Sequence, residues 1–347
     1  MARIDVTVRG GGIFGLACAW EMSRRGAAVR VIEAVRIGAG SSGGLVGALA
    51  PHVPEMWNPK KAFQFDSLVM APDFWAEVAA ASGREPGYLQ SGRLQPIADE
   101  EALARANDRA ESAAELWQGR AQWRVAEASA FGPWAPVSPT GMVIHDTLTA
   151  RLHPRQAAAA LVEAIRRSGG EVVIGEAAEA GAVLWATGVA GLADLGATLG
   201  RNVGAPIKGQ AASLRLDRAG MPQIQADGVH VVPHADGTVA IGSTTEREFD
   251  APDTTDAGLD EVIARARAAC PALQGADVIA RWAGVRPRAR SRAPMLGPWP
   301  GRPGHFVANG GFKIGFGMAP KVAEVMADLV LDGRDAIPQG FRVEDNL

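Results

Sequence analysis

Apolar and polar positions change period several times along the chain, and the first change is the most informative. The mostly apolar run Ile4-Asp5-Val6-Thr7-Val8 predicts a strand, Gly10 to Gly15 (GGGIFG) a glycine turn, Leu16 to Arg25 a helix, and Val29-Arg30-Val31-Ile32-Glu33 a second strand ending on an acid. A strand, a GxGxxG turn, a helix and an acid about 20 residues on form the context in which that motif seats a nucleotide diphosphate. Gly10 allows the tight turn, Gly12 lets main chain approach a pyrophosphate, and Gly15 allows close packing of helix on strand. The helix N-terminus adds partial positive charge, and Glu33 can accept from ribose hydroxyls.

Beyond this unit, Gly38 to Pro51 is too rich in glycine for a helix interior and offers main-chain donors for a phosphate or a flat ring. Residues 60–82 predict a helix with an apolar face (Phe63, Leu68, Phe74, Trp75, Val78), and 92–97 a strand. Asp99 to Gly119 predicts a charged, solvated helix. Pro154 to Gly169 predicts another helix, followed by strands Glu171–Ile174 and Ala182–Ala186, the latter stopping at Thr187-Gly188 where a sheet edge faces a ligand. From Lys208 to Gly242 the period becomes two, in Ala211–Leu216, Val229–Val232 and Thr238–Ile241, which predicts antiparallel sheet. A helix over 256–269, an arginine-dense stretch from Val278 to Pro294, and a strand, a glycine loop (Asn309 to Gly317) and a helix from Ala319 to Leu331 complete the chain. The order of segments divides it into interleaved pieces: 1–80, 141–207 and 283–347 for a nucleotide domain, 81–140 and 208–282 for a substrate domain.

The 347 residues, 47% apolar and 21% charged, are enough for two cores. A net charge of -3 gives no field for nucleic acid, so a small molecule is the expected partner. Two cysteines, Cys18 and Cys270, exclude a disulfide scaffold and fit a reducing compartment. No signal peptide or transmembrane run is evident, which makes cytoplasmic the expected location. His145, His153, His234 and His305 show no metal-ligand spacing, and no nucleophile elbow is present.

Seven stretches in order resemble the flavoprotein superfamily of D-amino-acid oxidase, glycine oxidase and monomeric sarcosine oxidase. They are GGGIFG with Glu33, GAGSSGGLVGALAPH, WATG (Trp185 to Gly188), PIKGQ (Pro206 to Gln210), HVVPHADGTVAIGST (His230 to Thr244), WAGVRPRARSRAPMLGP (Trp282 to Pro298) and NGGFKIGFG. The resemblance implies a two-domain α/β fold, with a Rossmann-like FAD-binding domain on a parallel sheet and a substrate domain on an antiparallel sheet. It assigns pyrophosphate to Ser41 and Ser42, the flavin's length to Val46, Gly47, Ala48 and Leu49, its ribityl and adenosine portions to Ala186, Thr187 and Gly188, and its pyrimidine edge to Gly311, Phe312, Lys313 and Ile314. Ile13, Phe14, Ala34 and Val173 complete the expected cofactor set. With no cysteine between Arg286 and Pro298, where flavinylated relatives attach the ring, the FAD is expected to be non-covalent.

Arg286 matches the family arginine that grips a substrate carboxylate, a task suited to a planar two-donor fork; the competing reading is one surface arginine among Arg288, Arg290 and Arg292. Lys313 resembles the lysine that sarcosine-oxidase relatives place beside that carboxylate, against a lysine that snorkels to solvent. His230 stands where the oxidases commonly carry a tyrosine lid, and the single tyrosine, Tyr88, lies elsewhere. His230 could take a proton from a substrate ammonium or simply pack; His52 is a weaker candidate that could simply end its loop. The expected reaction is oxidation of the C–N bond of a small amino acid or secondary amine, giving an imine that water hydrolyses to an oxo acid, with dioxygen or a quinone as acceptor. The alternatives are a quinone-linked D-amino-acid dehydrogenase and a flavoprotein that acts on a modified tRNA base or only senses a metabolite.

Overall fold

In the structure, a computed structural model describing residues 3–347, the chain runs through two sheets. Strand β1 (Val6–Arg9) passes through the glycine turn into helix α1 (Ile13–Arg24) and strand β2 (Val29–Glu33). The short β3 (Ala48–Leu49) precedes α2 (Pro59–Ser82), β4 (Arg93–Pro96), α3 (Glu100–Leu116), β5 (Trp123–Glu127), β6 (Met142–Asp146) and β7 (Ala150–Arg151). Then come α4 (Pro154–Arg167), β8 (Glu171–Ile174), β9 (Ala182–Trp185) and α5 (Gly188–Leu199). The rest comprises β10 (Gly204–Arg215), β11 (Gln223–Ala226), β12 (Val229–Pro233), β13 (Thr238–Gly242), α6 (Ala257–Ala269), β14 (Val278–Ala289), β15 (Met295–Pro298), β16 (His305–Asn309) and α7 (Gly315–Asp332).

The first sheet has the order β15-β16-β9-β1-β2-β8. All its pairs are parallel except β15 with β16. Val6, Val8, Val31 and Leu184 are at most 1% exposed and pack with α1, α4 and α7 into the larger core, so segments from both ends of the chain build one layer. The second sheet has eight strands, β14-β10-β13-β12-β11-β4-β6-β5, antiparallel except for β11 with β4. Alternation sends Ala212, Leu214, Val229, Val231, Val239 and Ile241 to one face, where they pack with α6 around Leu259, Val262 and Ile263. The opposite face, carrying Ala211, His230, Gly242 and Arg286, is left for the site.

Several elements depart from the expectations. Helix α1 starts three residues before Leu16 and α7 four residues before Ala319, because their first turns contain the glycines that propensity counts against a helix. Strand β10 runs from Gly204, well before Ala211, and pairs with β14 past Pro206 opposite Pro287. These prolines cost no ladder bond, since β14 is an edge strand and β13 pairs β10 only from Ala211 onward. The boundaries drawn at 207/208 and 282/283 therefore fall inside continuous strands, and β6, placed in the 141–207 piece, pairs with β4 and β5 in the second sheet.

Candidate active site

The cofactor end is set by backbone approaches that leave no room for side chains. Gly10 has φ +109°, and a Cβ there would lie 2.4 Å from the Ala186 carbonyl oxygen at the end of β9. A Cβ on Gly15 would sit 2.0 Å from the Gly10 carbonyl oxygen, which is why α1 can begin directly against the turn. The Ile13 N–H donates to Ser42 Oγ at 3.0 Å, bringing the 38–51 loop onto the N-terminus of α1. Glu33 holds the turn: its two carboxylate oxygens accept from the N–H groups of Gly11 (2.7 Å) and Val35 (3.0 Å).

Helix starts differ across the molecule. Helices α2, α3, α4 and α6 each have a side-chain cap, from Asn58, Asp99, His153 and Asp256. Helices α1, α5 and α7 follow Gly12, Thr187 and Ile314 and have none. All three follow strands of the parallel sheet, β1, β9 and β16. Thr187 Oγ1 is buried without a partner, and Phe14 fills the space a Cβ on Gly311 would need, 2.8 Å from its ring, so the starts of α1 and α7 adjoin. Uncapped donors, an orphan hydroxyl and glycine-lined approaches together fit an anionic dinucleotide. Val46 packs with Leu45, Ala211, Ala240 and Trp282 in a small apolar cluster between the loop and the second sheet. Gly47 and Leu49 fix the remainder of this loop: Gly47 has φ +66°, with the Leu152 carbonyl where a Cβ would be, and Leu49 is fully buried. Ala34 is exposed beyond β2, while Val173 is half-buried on β8.

Across from this end, the guanidinium of Arg286 lies over Gly209 of β10, where any Cβ would fall about 2 Å from it. Its side chain is 8% exposed, with Nη2 donating to Ser243 Oγ (2.8 Å) and Nη1 to the Thr244 carbonyl (3.3 Å). No carboxylate lies within ion-pair distance among the described residues. Burial, only partly offset by Glu246, brings its pKa down to about 10, so it stays charged at neutral pH. Lys313 Nζ donates to Thr245 Oγ1 at 2.8 Å. Although the Lys313 side chain presents a solvent-exposed surface, burial around the ammonium and the charge of Arg286 lower its pKa. Residues 243–245 thus hold both cations.

His230 sits on β12 opposite Gly242, with Nδ1 buried and unpartnered. Burial, Arg93 and Lys313 push its pKa down to about 4. At neutral pH such a ring is uncharged and can accept a hydrogen bond through Nδ1. Arg93, held by Asp146 (2.8 Å) and Gln225 (2.7 Å), is the buried cation beside it. His52 is not brought to this group; its N–H donates to Gln64 Oε1 at 2.7 Å, its Nδ1 also contacts that oxygen, and Gln64 Nε2 donates to the Ala50 carbonyl. The ring ends the loop.

The sequence gives no direct sign of the 243–246 loop's role. Beneath it, Lys208, 3% exposed, meets Glu246 at 3.3 Å and Asp256 at 3.6 Å. Gln210 Nε2 donates to the same two carboxylates at 3.0 and 2.8 Å, and Thr244 Oγ1 donates to Glu246. Both residues belong to the PIKGQ stretch and project to the α6 face of β10. The one available signal was a lysine and a glutamine at alternate positions of a strand otherwise buried, a pattern that calls for acidic partners.

The chain matches the family model described as FAD dependent oxidoreductase over residues 5–329. It is 29% identical to a glycine oxidase of Geobacillus kaustophilus over 94% of this chain and 93% of the relative, and the crystal structure of glycine oxidase from that organism superposes with a TM-score of 0.83, covering 99% of both chains at 23% identity. It is also 28% identical to a glycine oxidase of Pseudomonas putida over 97% of this chain and 98% of the relative. An iminodiacetate oxidase structure from a Chelativorans species matches with a TM-score of 0.83 at 22% identity, covering 97% and 98% of the two chains. With its parallel sheet, uncapped helix starts and antiparallel partner sheet, this chain belongs to the family of FAD-dependent oxidoreductases that includes D-amino-acid oxidase.

Proposed function

We propose that the protein oxidises the C–N bond of a small amino acid or N-substituted glycine, with dioxygen as final electron acceptor. The observation that carries this reading is Arg286: a buried, charged guanidinium with no carboxylate within ion-pair distance among the described residues, sharing one loop with the Lys313 ammonium. A buried charge of this kind calls for a counterion, and a substrate carboxylate supplies it with matching planar geometry. When bound, FAD supplies the two-electron acceptor for the hydrogen leaving Cα.

The residues of this chain then bind and orient. Arg286 takes the carboxylate and Lys313 adds a second positive contact. His230 Nδ1 accepts a hydrogen bond from the substrate amine, and the Val46, Ala211, Ala240 and Trp282 cluster keeps water from the apolar side. Released into water, the imine product hydrolyses to an oxo acid and ammonia or an amine. The names of the relatives, glycine oxidase and iminodiacetate oxidase, support substrates of this size and class.

The test is anaerobic mixing of holoenzyme with glycine, sarcosine, iminodiacetate, proline and D-amino acids, followed by readmission of air. Bleaching of the flavin's visible absorbance by a member of the panel, then recovery with release of hydrogen peroxide, is the expected result. No bleaching by any of them sinks the substrate class, and recovery only with a quinone dye sinks the acceptor.

A further inference from the structure

Where β14 leaves the site, arginines gather without acids. Arg201, Arg288 and Arg290 line, together with Arg292, Asn202 and Gly204, an open groove of about 470 Å³ between the end of α5 and the end of β14. Elsewhere arginines find carboxylates, as Arg25 does with Asp328 and Glu21, Arg109 with Glu55, and Arg342 with Asp335. Among the described residues the four groove arginines form no ion pair and make no side-chain hydrogen bond. In a chain whose acids outnumber its lysines and arginines, 38 to 35, such a gathering is not a consequence of composition.

Two further observations fix parts of the cluster, the backbone of Arg292 and the side chain of Arg288. Arg292 has φ +64°, a left-handed conformation that non-glycine residues adopt at a cost, and its carbonyl receives the Lys60 ammonium, which brings a fifth cation to the rim. Arg288 lies over the Phe312 ring at 6.0 Å, and the Phe312 N–H donates to the Pro287 carbonyl at 3.0 Å. That contact fixes Arg288 against the loop that carries Lys313. Guanidiniums crowded together repel one another, and each keeps an unused fork of donors; a ligand with two or more negative charges relieves both.

We infer that this groove is a binding site for a small multivalent anion, a phosphate ester or a polycarboxylate, distinct from the Arg286 site. A single carboxylate is too weakly charged to engage it, and the open shape suits a ligand that presents charged oxygens on more than one side.

The test titrates holoenzyme calorimetrically with citrate and with inorganic phosphate at constant ionic strength made up with potassium chloride. The expected result is saturable binding of at least one probe, weakened tenfold or more by Arg290→Ala and by Arg201→Ala, with flavin content unchanged in both variants. Both side chains are exposed, so the variants should fold; Arg290→Glu, which should abolish binding, gives a second check. Preference for citrate assigns a polycarboxylate, and preference for phosphate a phosphate ester. Heats that disappear at matched ionic strength, or that the variants leave unaltered, overturn the site. So does retention of an acidic polypeptide such as polyglutamate with neither small anion bound, which would make the groove a protein surface.

Discussion

Among the described residues, seven α-helices begin in two ways. Four start on an N-cap residue whose own side chain accepts a first-turn N–H; in α1, α5 and α7 the N-cap residue offers none, although the first N–H of α1 reaches Ser42 of the 38–51 loop. The first kind is closed by its own sequence; the second leaves donors and partial positive charge directed at whatever follows the parallel strands. The difference teaches that a missing cap carries information. A helix start completed by the protein serves folding, and one left open serves a ligand.

The sharpest way to break this comparison is to give α1 the cap it lacks. In Gly12→Asp a carboxylate would satisfy the helix start and put negative charge where the pyrophosphate belongs; FAD affinity should fall roughly a hundredfold or more, on the order of 3 kcal/mol, measured as loss of visible absorbance relative to protein. Retained yellow colour would remove α1 from the cofactor site. Next in size is Arg286→Met, which should raise KM for a carboxylate substrate by about 2–4 kcal/mol equivalent while the flavin stays bound. An unchanged KM would show that the open cation is not the anchor.

Lys208→Met tests whether the second sheet's site depends on its own closed network. It leaves Glu246 without its buried partner, at a cost of about 1–3 kcal/mol, less than for fully buried pairs because Glu246 and Asp256 keep solvent contact. KM should rise with little change in flavin content, and Glu246→Gln in the same chain should recover part of the loss. Removing caps from the closed helices, by Asn58→Ala or Asp99→Ala, should cost about 1 kcal/mol in urea unfolding and nothing in FAD affinity.

A pH slope reads the buried histidines of the second sheet. His230 and His234 both have pKa values lowered to about 4, chiefly by burial, while an unfolded histidine titrates near 6.5. Between these values the unfolded chain binds protons that the folded one refuses, so stability falls as pH drops from about 6.5 towards 4 and the contribution is complete above that window. His230→Phe should flatten part of this slope, and a slope left intact would mean that the ring is solvated.

Much of the cofactor end was legible because glycine spacing and strand period are local signals: Gly10, Gly12, Gly15, Glu33 and Thr187 stand at the turn and strand ends where the pattern put them. The substrate end was less so. Arg286 emerged through resemblance, but Ser243, Thr244 and Thr245 acquire their roles only when β13 pairs with β10 and Arg286 reaches across β10 from β14, and Arg93 meets Asp146 and Gln225 through strands far apart in sequence. His52 faces Gln64, and a polar residue after a glycine loop looks the same in sequence whether it faces a ligand or a neighbouring side chain. His230 was visible as a histidine; its weak basicity comes chiefly from burial and then from Arg93 and Lys313, which no local pattern brings near it.

Strands β10 and β14 stay paired from Gly204 with Ala289 to Leu214 with Val278, across both proposed domain boundaries. A pair of ribbons zipped over that span is one stiff plank within the second sheet. Arg286 on β14 and Gly209 beneath it on β10 are therefore carried as one piece, and a crosslink across these two strands should leave turnover unchanged.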